Sequence, residues 1–327
     1  MERRDFLRTL SGAGLLSLLD PAYLSAKERL QSGQKVLEPV PRRRYGRADD
    51  MLSIIGFGGI VVKEVTPEEA ARYVSAAFDW GINYFDVAPT YGNAQERLGP
   101  ALKPYRDNCF LACKTTKRDA RQAQQEMDES FRLLQTDHFD LYQLHSITTL
   151  DDVEQAFAKG GAMEVFVKAK EAGKIRYLGF SAHSEEAAHA AMDRYDFDSI
   201  LFPLGFPTWV KEKFGPSVHK RAKDAGRAIL ALKAMAHQKW PQSMKRAERP
   251  WKKTWYEPFD DIDKISLGLR FTLHLPSDAM IPPGHWELFE MAAELARSGA
   301  LTPLNENEQE VIRAIAMESE PIFPRRK

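Results

Sequence analysis

Residues 81–92 read GINYFDVAPTYG, a short apolar run that ends in a carboxylate and is followed by a phenol. The run up to Asp86 predicts a β-strand, and Tyr91 lies in the loop after it. Two later runs have the same form: CFLACK (109–114) ends in Lys114, and FDLYQLH (139–145) ends in His145. A carboxylate, a phenol, an ammonium and an imidazole at consecutive strand ends are the groups that a proton-delivery site needs.

The rest of the chain repeats this alternation of strand and helix. Segments with helical periodicity separate eight apolar runs. These runs are 53–59, 82–86, 109–113, 139–145, 175–181, 198–202, 228–233 and 278–282. Eight β/α units in about 230 residues predict a closed, parallel (β/α)₈ TIM barrel. A doubly wound sheet would begin with a Gly-x-Gly-x-x-Gly turn, and Gly56-Phe57-Gly58-Gly59 lacks that spacing.

The helical segments carry recognisable ends. Thr66 and Glu69 predict a capping box, with Pro67 at the first helical position. Glycine followed by a basic residue, as at Gly173 and Gly226, predicts a helix end leading into a strand. The predicted helices are 67–81, 120–135, a single segment over 151–172, 184–195 and 218–226.

The N-terminus differs in character from the barrel. Residues 3–8 read RRDFLR and precede the mildly apolar TLSGAGLLSLL, a pattern that resembles a twin-arginine export signal. We therefore expect a leader over 1–26, a linker over 27–43 and a barrel domain over 44–327 that begins with a hairpin around YGRADDMLS (45–53). The resemblance implies the twin-arginine export machinery as a partner and a periplasmic or exported location. The alternative is an amphipathic or disordered leader on a cytoplasmic protein, and the poor processing site at Leu24-Ser25-Ala26 leaves cleavage undecided.

Composition excludes several other classes. Lysine and arginine number 46 and balance 46 aspartates and glutamates, so no global field attracts nucleic acid. The sequence contains no run of about eighteen apolar residues, so we expect no stable membrane insertion. Cys109 and Cys113 fall in one strand, where four residues span roughly 13 Å, too far for a disulfide. No cysteine or histidine grouping has metal-site spacing, so we expect no metal.

The strand-end residues also resemble a known family. Asp86-Val-Ala-Pro-Thr-Tyr91-Gly92 matches the D-x-x-x-x-Y-G pattern of the aldo-keto reductases, whose third and fourth strands end in Lys and His, as at Lys114 and His145. KIRYLGFSAHS (174–184) is similar to the family's fifth strand, and PLNENEQEVIRAI (303–315) to its closing extra helix. The resemblance implies an oxidoreductase that transfers a hydride between NADP or NAD and an aldehyde or ketone, or the matching alcohol.

The chemistry of the four residues supports that expectation. A carbonyl that accepts a hydride develops negative charge on its oxygen and needs a proton donor. Tyr91 would be the general acid, and Lys114, held by Asp86, would lower the pKa of the phenol. His145, in its neutral form, would orient the carbonyl through a hydrogen bond.

The cofactor contacts follow the family less closely. The expected cofactor-binding residues are Gly58, Gly59, Ser181, His183, Lys233 and Gly284. After Ser181 the family places Asn where this chain has Ala182, and the sixth strand, LFPLGF (201–206), lacks the expected Gln. After the eighth strand His285 is the only basic residue before Arg297, so the choice between NADP and NAD stays open.

Residues 237–262 interrupt the strand–helix alternation and contain Trp240, Trp251, Trp255 and Tyr256. The segment is either a functional loop that covers a substrate or a surface loop that packs on itself. Two other functions stay open. One is an exported barrel that binds a sugar-like ligand without redox chemistry. The other is an isomerase that uses Tyr91 and Lys114 as acid and base.

Overall fold

The computed structural model describes residues 18–32 and 38–323, and within them the eight predicted strands form one parallel sheet. The sheet strands are β3 (Phe57–Gly58), β4 (Tyr84–Asp86), β5 (Phe110–Thr115), β6 (Phe139–Ile147), β7 (Ile175–Ala182), β8 (Ser199–Pro203), β9 (Ala228–Leu232) and β12 (Ala279–Ile281). Two antiparallel hairpins add β1 (Arg42–Arg44) with β2 (Met51–Ser53), and β10 (Ala236–Lys239) with β11 (Tyr256–Pro258).

Eleven α-helices in the described residues surround or extend the sheet. They are α1 (Pro21–Gln31), α2 (Pro67–Asp79), α3 (Ala94–Leu102), α4 (Ala120–Leu134), α5 (Leu150–Phe157), α6 (Ala162–Glu171), α7 (Glu185–Arg194), α8 (Pro216–Asp224), α9 (Ile262–His274), α10 (Trp286–Arg297) and α11 (Glu306–Glu318). Among them, none combines the length and apolarity that crossing a membrane requires.

The sheet closes into a barrel. Seven parallel pairings connect β12, β9, β8, β7, β6, β5, β4 and β3 in that order. The chain just before β3 then bonds to β12: the Gly56 amide donates to the Met280 carbonyl at 2.8 Å, and the Met280 amide donates to the Ile54 carbonyl at 2.9 Å. The predicted (β/α)₈ barrel is therefore confirmed, and the carboxyl ends of all eight strands meet on one rim.

The helix ends follow the sequence in most places. The Thr66 capping box is present, with the Glu69 amide 3.2 Å from the Thr66 hydroxyl and the Thr66 amide 2.9 Å from the Glu69 carboxylate. The prediction of a single helix over 151–172 was wrong, because this segment forms two helices, α5 and α6. Gly160 adopts φ 77°, and a Cβ on Gly161 would lie 2.4 Å from the Ala156 carbonyl. These two glycines turn the chain where a helix cannot continue.

The lower end of the barrel is sealed. Tyr45, between β1 and β2, is fully buried, and its ring centroid lies 5.1 Å from those of Phe110 and Tyr177. The hydroxyl of Tyr177 donates to Asp50 of the same hairpin at 2.6 Å. The hairpin covers this end with packed aromatic rings. Within the described residues, the open end of the barrel is therefore the rim where the strands terminate.

Residues 21–31, which the sequence analysis divided between leader and linker, form α1 and pack on the barrel domain. Tyr23 is fully buried and donates its hydroxyl to Asp263 of α9 at 2.6 Å. The Lys27 amine binds the same carboxylate at 2.7 Å. Cleavage after Ala26 would remove Tyr23 from this contact. The twin-arginine pattern itself lies in residues 1–17, outside the described residues.

Candidate active site

A buried ion pair forms the base of the site. Asp86 ends β4 and Lys114 lies on the neighbouring β5, and both side chains are almost completely excluded from solvent. The Lys114 amine binds the Asp86 carboxylate and donates to the Val87 carbonyl at 3.3 Å. Burial is the largest effect and lowers the pKa of Lys114, but the charge of Asp86, its hydrogen bond and the neighbouring Tyr91 and Cys113 together outweigh it, so the pKa is raised overall. Lys114 therefore stays charged inside the barrel. Its role in tuning Tyr91 stays a prediction.

Two further side chains hold Asp86 from below. The Gln143 amide nitrogen donates to the carboxylate at 3.2 Å, and the Tyr84 hydroxyl donates to it at 3.3 Å. Neither residue was predicted from the sequence. Each lies two residues before a predicted site residue on the same strand, Tyr84 before Asp86 and Gln143 before His145. The two-residue period of a β-strand puts such residues on one face, and that signal could have found them.

Tyr91 lies in the loop after β4, close to the ion pair. The Lys114 amine is 5.2 Å from the centroid of its ring. Burial raises the pKa of Tyr91, while the charge of Lys114 and a hydrogen bond from it act in the opposite direction. The net pKa is raised, whereas we expected Lys114 to lower it. The phenol consequently keeps its proton at neutral pH, which is the state required of a proton donor.

His145 faces Tyr91 from the end of β6. The two ring centroids are 5.8 Å apart and the rings are nearly perpendicular. Burial, followed by the nearby charge of Lys114, holds the pKa of His145 well below its usual range, so the imidazole is neutral. Its Nδ1 is buried and has no hydrogen-bond partner within the described chain. A buried ring nitrogen without a partner is suited to bind a polar atom of a ligand.

A cavity of about 190 Å³ opens above these residues. Four of the predicted cofactor-binding residues line it, namely Gly58, His183, Lys233 and Gly284. The other two do not. Gly59 is buried against Val87, and the Ser181 hydroxyl accepts the Ser146 amide at 2.8 Å. The cavity lining also includes Asp86, Tyr91, His145, Ile60, Leu232, Lys253, Thr254, Trp255, Tyr256, Ile281, Pro282 and Pro283.

The tryptophan-rich segment covers this cavity. We call residues 240–255, which join β10 to β11, the cover loop. Its Lys253 amide donates to His285 Nε2 at 3.0 Å, and the Lys253 amine donates to the Val61 carbonyl, also at 3.0 Å. The loop also packs on itself, because Trp240 Nε1 donates to the Thr254 carbonyl at 3.2 Å. The bonds to His285 and Val61 place the loop across the rim. That it covers a substrate stays a prediction.

The residues of the cavity fit the reacting end of a nicotinamide cofactor. The free Nδ1 of His145 and the neutral ring of His183 can bond polar groups, and the pKa of His183 is lowered to about 4 by burial. The cavity is smaller than the roughly 300–1,000 Å³ of pockets that bury a drug-sized ligand. A complete dinucleotide would therefore extend beyond the cavity.

Sequence comparison relates this chain to known reductases. The family model described as the Aldo/keto reductase family matches residues 54–300. Aldo-keto reductase YhdN of Bacillus subtilis is 35% identical over 143 residues, which are 39% of this chain and 41% of that protein. L-galactose dehydrogenase of Arabidopsis thaliana is 28% identical over 167 residues, 46% of this chain and 51% of that protein. The chain spans about half the length of the curated relatives that it matches.

Solved structures agree on the architecture. Aldo-keto reductase AKR11C1 of Bacillus halodurans, in its holo form, superimposes with a TM-score of 0.67 at 22% identity, covering 88% of this chain and 100% of the other. Glycerol dehydrogenase AKR11B4 of Gluconobacter oxydans gives 0.62 at 19% identity, covering 88% and 99%. At these identities the likeness concerns the fold. The family model, in contrast, covers most of this sequence, from the closing edge of the barrel to the end of α10 and just beyond. The chain therefore belongs to the Aldo/keto reductase family.

Proposed function

We propose that this protein is an NAD(P)-dependent oxidoreductase that transfers a hydride between a nicotinamide cofactor and an aldehyde or ketone, or the corresponding alcohol. One observation carries the proposal: a protonated phenol, Tyr91, contacts the buried Lys114–Asp86 pair at the wall of a cavity that it shares with His145. Such an arrangement delivers a proton to a carbonyl oxygen on which negative charge is developing.

Each residue has a distinct part in the reduction. The nicotinamide supplies the hydride when it is bound. As charge grows on the carbonyl oxygen, Tyr91 donates its phenolic proton to that oxygen, and Lys114 stabilises the phenolate that is left. Asp86 keeps Lys114 charged and positioned. His145 is neutral and bonds the same carbonyl oxygen, which orients it towards the phenol. In the oxidation of an alcohol the phenolate takes the proton back.

The cofactor would bind along the rim. Gly58, His183 and Gly284 line the cavity and would contact the cofactor, while Gly59 and Ser181 would support the neighbouring loops. Gly284 lies just before α10, whose N-terminal backbone amides can bind a phosphate. The protein offers His285, and no other basic residue, between β12 and Arg297. For this reason NADPH and NADH have to be compared directly.

The test is a titration of the purified full-length protein with NADPH and with NADH, followed by cofactor fluorescence. We expect an enhanced and blue-shifted emission as the nicotinamide enters the dry cavity, with oxidation of the bound cofactor on addition of an aldehyde. A folded protein that leaves the emission unchanged at millimolar concentrations of both cofactors would contradict the proposal. That result would favour a non-redox ligand, such as a sugar, under the cover loop.

We also infer that the chain is exported, and the support is the twin-arginine pattern in residues 3–8. Such a pathway passes folded proteins, so a cofactor bound before export could travel inside the barrel. Fractionation of cells that produce the intact chain should place it outside the cytoplasm. The double variant Arg3→Lys/Arg4→Lys should stay inside, and an unchanged distribution of that variant would argue against export by this pathway.

A further inference from the structure

The geometry points to Lys233 as the receptor for a carboxylate on the carbonyl substrate, so that the enzyme acts on oxo-acids in preference to neutral aldehydes and ketones. This inference deepens the proposed function and rests on it. Lys233 is a cationic side chain with no part in the proposed proton delivery, and it lines the same cavity as Tyr91 and His145.

The backbone holds Lys233 in an unusual conformation. Immediately after β9 its φ is 67°, a left-handed value that residues with a side chain rarely adopt. The turn is fixed on both sides: the Lys233 carbonyl accepts the Ala236 amide at 3.0 Å, and a Cβ on Gly205 would lie 2.2 Å from the same carbonyl. Strain of this kind persists where the surrounding structure enforces it, and it is common at ligand sites.

Aromatic rings hold the amine of Lys233 in place. Its Nζ lies 4.8 Å from the ring centroid of Tyr256 and 5.5 Å from that of Trp255. Rings at these distances attract a cation but do not neutralise it. Trp255 ends the cover loop and Tyr256 begins β11 directly after it, so the amine is held between these rings and the reacting groups.

No carboxylate pairs with this amine among residues 18–32 and 38–323. Asp86 is the only acidic residue that lines the cavity, and it already binds Lys114, Gln143 and Tyr84. The second cationic group of the lining, Lys253, donates instead to the Val61 carbonyl. Burial lowers the pKa of Lys233 to about 8, with no acidic group opposing it. An ammonium without an anionic partner favours an oxyanion in the cavity, because a charge-assisted hydrogen bond would then form.

Two molecules could supply the oxyanion: the substrate, as a carboxylate, or the dinucleotide, as a phosphate. The position of the amine favours the substrate. Lys233 lines the same cavity of about 190 Å³ as Tyr91 and His145, so the amine lies at the reacting end. A carboxylate a few bonds from the carbonyl falls there. The phosphates of a dinucleotide are separated from its nicotinamide ring by a ribose and fall further along the rim.

The test compares 4-oxobutanoate with its methyl ester, which differ in charge and little in shape. We expect the protein to prefer the acid in kcat/KM, and we expect Lys233→Met to lower the acid-to-ester ratio by at least about tenfold, with Lys233→Arg retaining part of it. The matched control is Lys239→Met. Lys239 is on β10, six residues away, and pairs with Glu320 on the surface, so the ratio should not change.

A second measurement does not depend on hydride transfer. Calorimetric titration of the cofactor-free protein should show binding of 4-oxobutanoate that Lys233→Met weakens about tenfold and that the ester does not reproduce. An unchanged acid-to-ester ratio or unchanged binding in Lys233→Met would overturn the inference. So would a loss of NADPH affinity with the ratio preserved, because the amine would then serve the cofactor phosphate. Failure of the wild-type protein to oxidise NADPH with either compound, with acid binding intact, would count against the proposed function alone.

Discussion

Replacement of Tyr91 by Phe should lower kcat/KM for carbonyl reduction by about 10²–10⁴-fold, the range that a positioned general acid contributes. The ring, its contact with His145 and the surrounding loop are kept, and only the proton donor is lost. Cofactor affinity and the thermal unfolding temperature should stay close to those of the wild type. The measurement is steady-state kinetics with one aldehyde, together with a cofactor titration of the same preparation.

The control for this variant is Tyr105→Phe. Tyr105 is also half-buried and donates its hydroxyl to Ser75, at 3.1 Å, on the outside of the barrel. It should keep full activity, because it loses the same atom at a site without chemistry. Turnover of Tyr91→Phe within a few-fold of the wild type would exclude Tyr91 as the acid.

Replacement of Lys114 by Met should reduce both stability and activity. Lys114 is fully buried, and its loss leaves the Asp86 carboxylate in the barrel with only Gln143 and Tyr84 as partners. Removal of one partner of a buried ion pair costs about 3–5 kcal/mol of the free energy of unfolding. Activity should fall by at least about 100-fold, because no cation then stabilises the phenolate of Tyr91.

Two further variants separate these effects. The double variant Lys114→Met/Asp86→Leu buries no charge and should recover much of the lost stability in denaturant unfolding while it stays inactive. Lys220→Met removes an exposed lysine that pairs with Asp224 on the same helix and should change stability by less than about 1 kcal/mol. A Lys114→Met protein as stable as the wild type would show that the pair contributes nothing to the fold.

The strand ends were the most predictable part of the molecule. Asp86 is the last residue of β4, and His145 lies two residues before the end of β6. Both could be predicted because an apolar run is a local pattern whose length can be read from the sequence. The break between α5 and α6 was less visible. The helical periodicity of the sequence continues on both sides of Gly160 and Gly161. The two helices are separated by the backbone conformation of these glycines.

The helix α1 shows a different limit. Its sequence is polar, and it precedes a segment that resembles a linker, so nothing local predicts that it docks. It docks through the hydrogen bond of Tyr23 and the ion pair of Lys27 with Asp263, a residue about 240 positions later. The position of that carboxylate beside α1 exists only once the domain has folded.

The sequence by itself determined the barrel and the family, and it supplied the four groups that we propose for proton delivery, since strand periodicity and strand-end residues are short-range patterns that a closed barrel brings together. The tertiary structure decided the net pKa of Tyr91, because burial is set by every element around the phenol and here outweighs the charge of Lys114. It also decided the place of the cover loop and the surroundings of Lys233. Contacts between β9, β11 and the rim depend on distant segments meeting in space, and no local pattern specifies them.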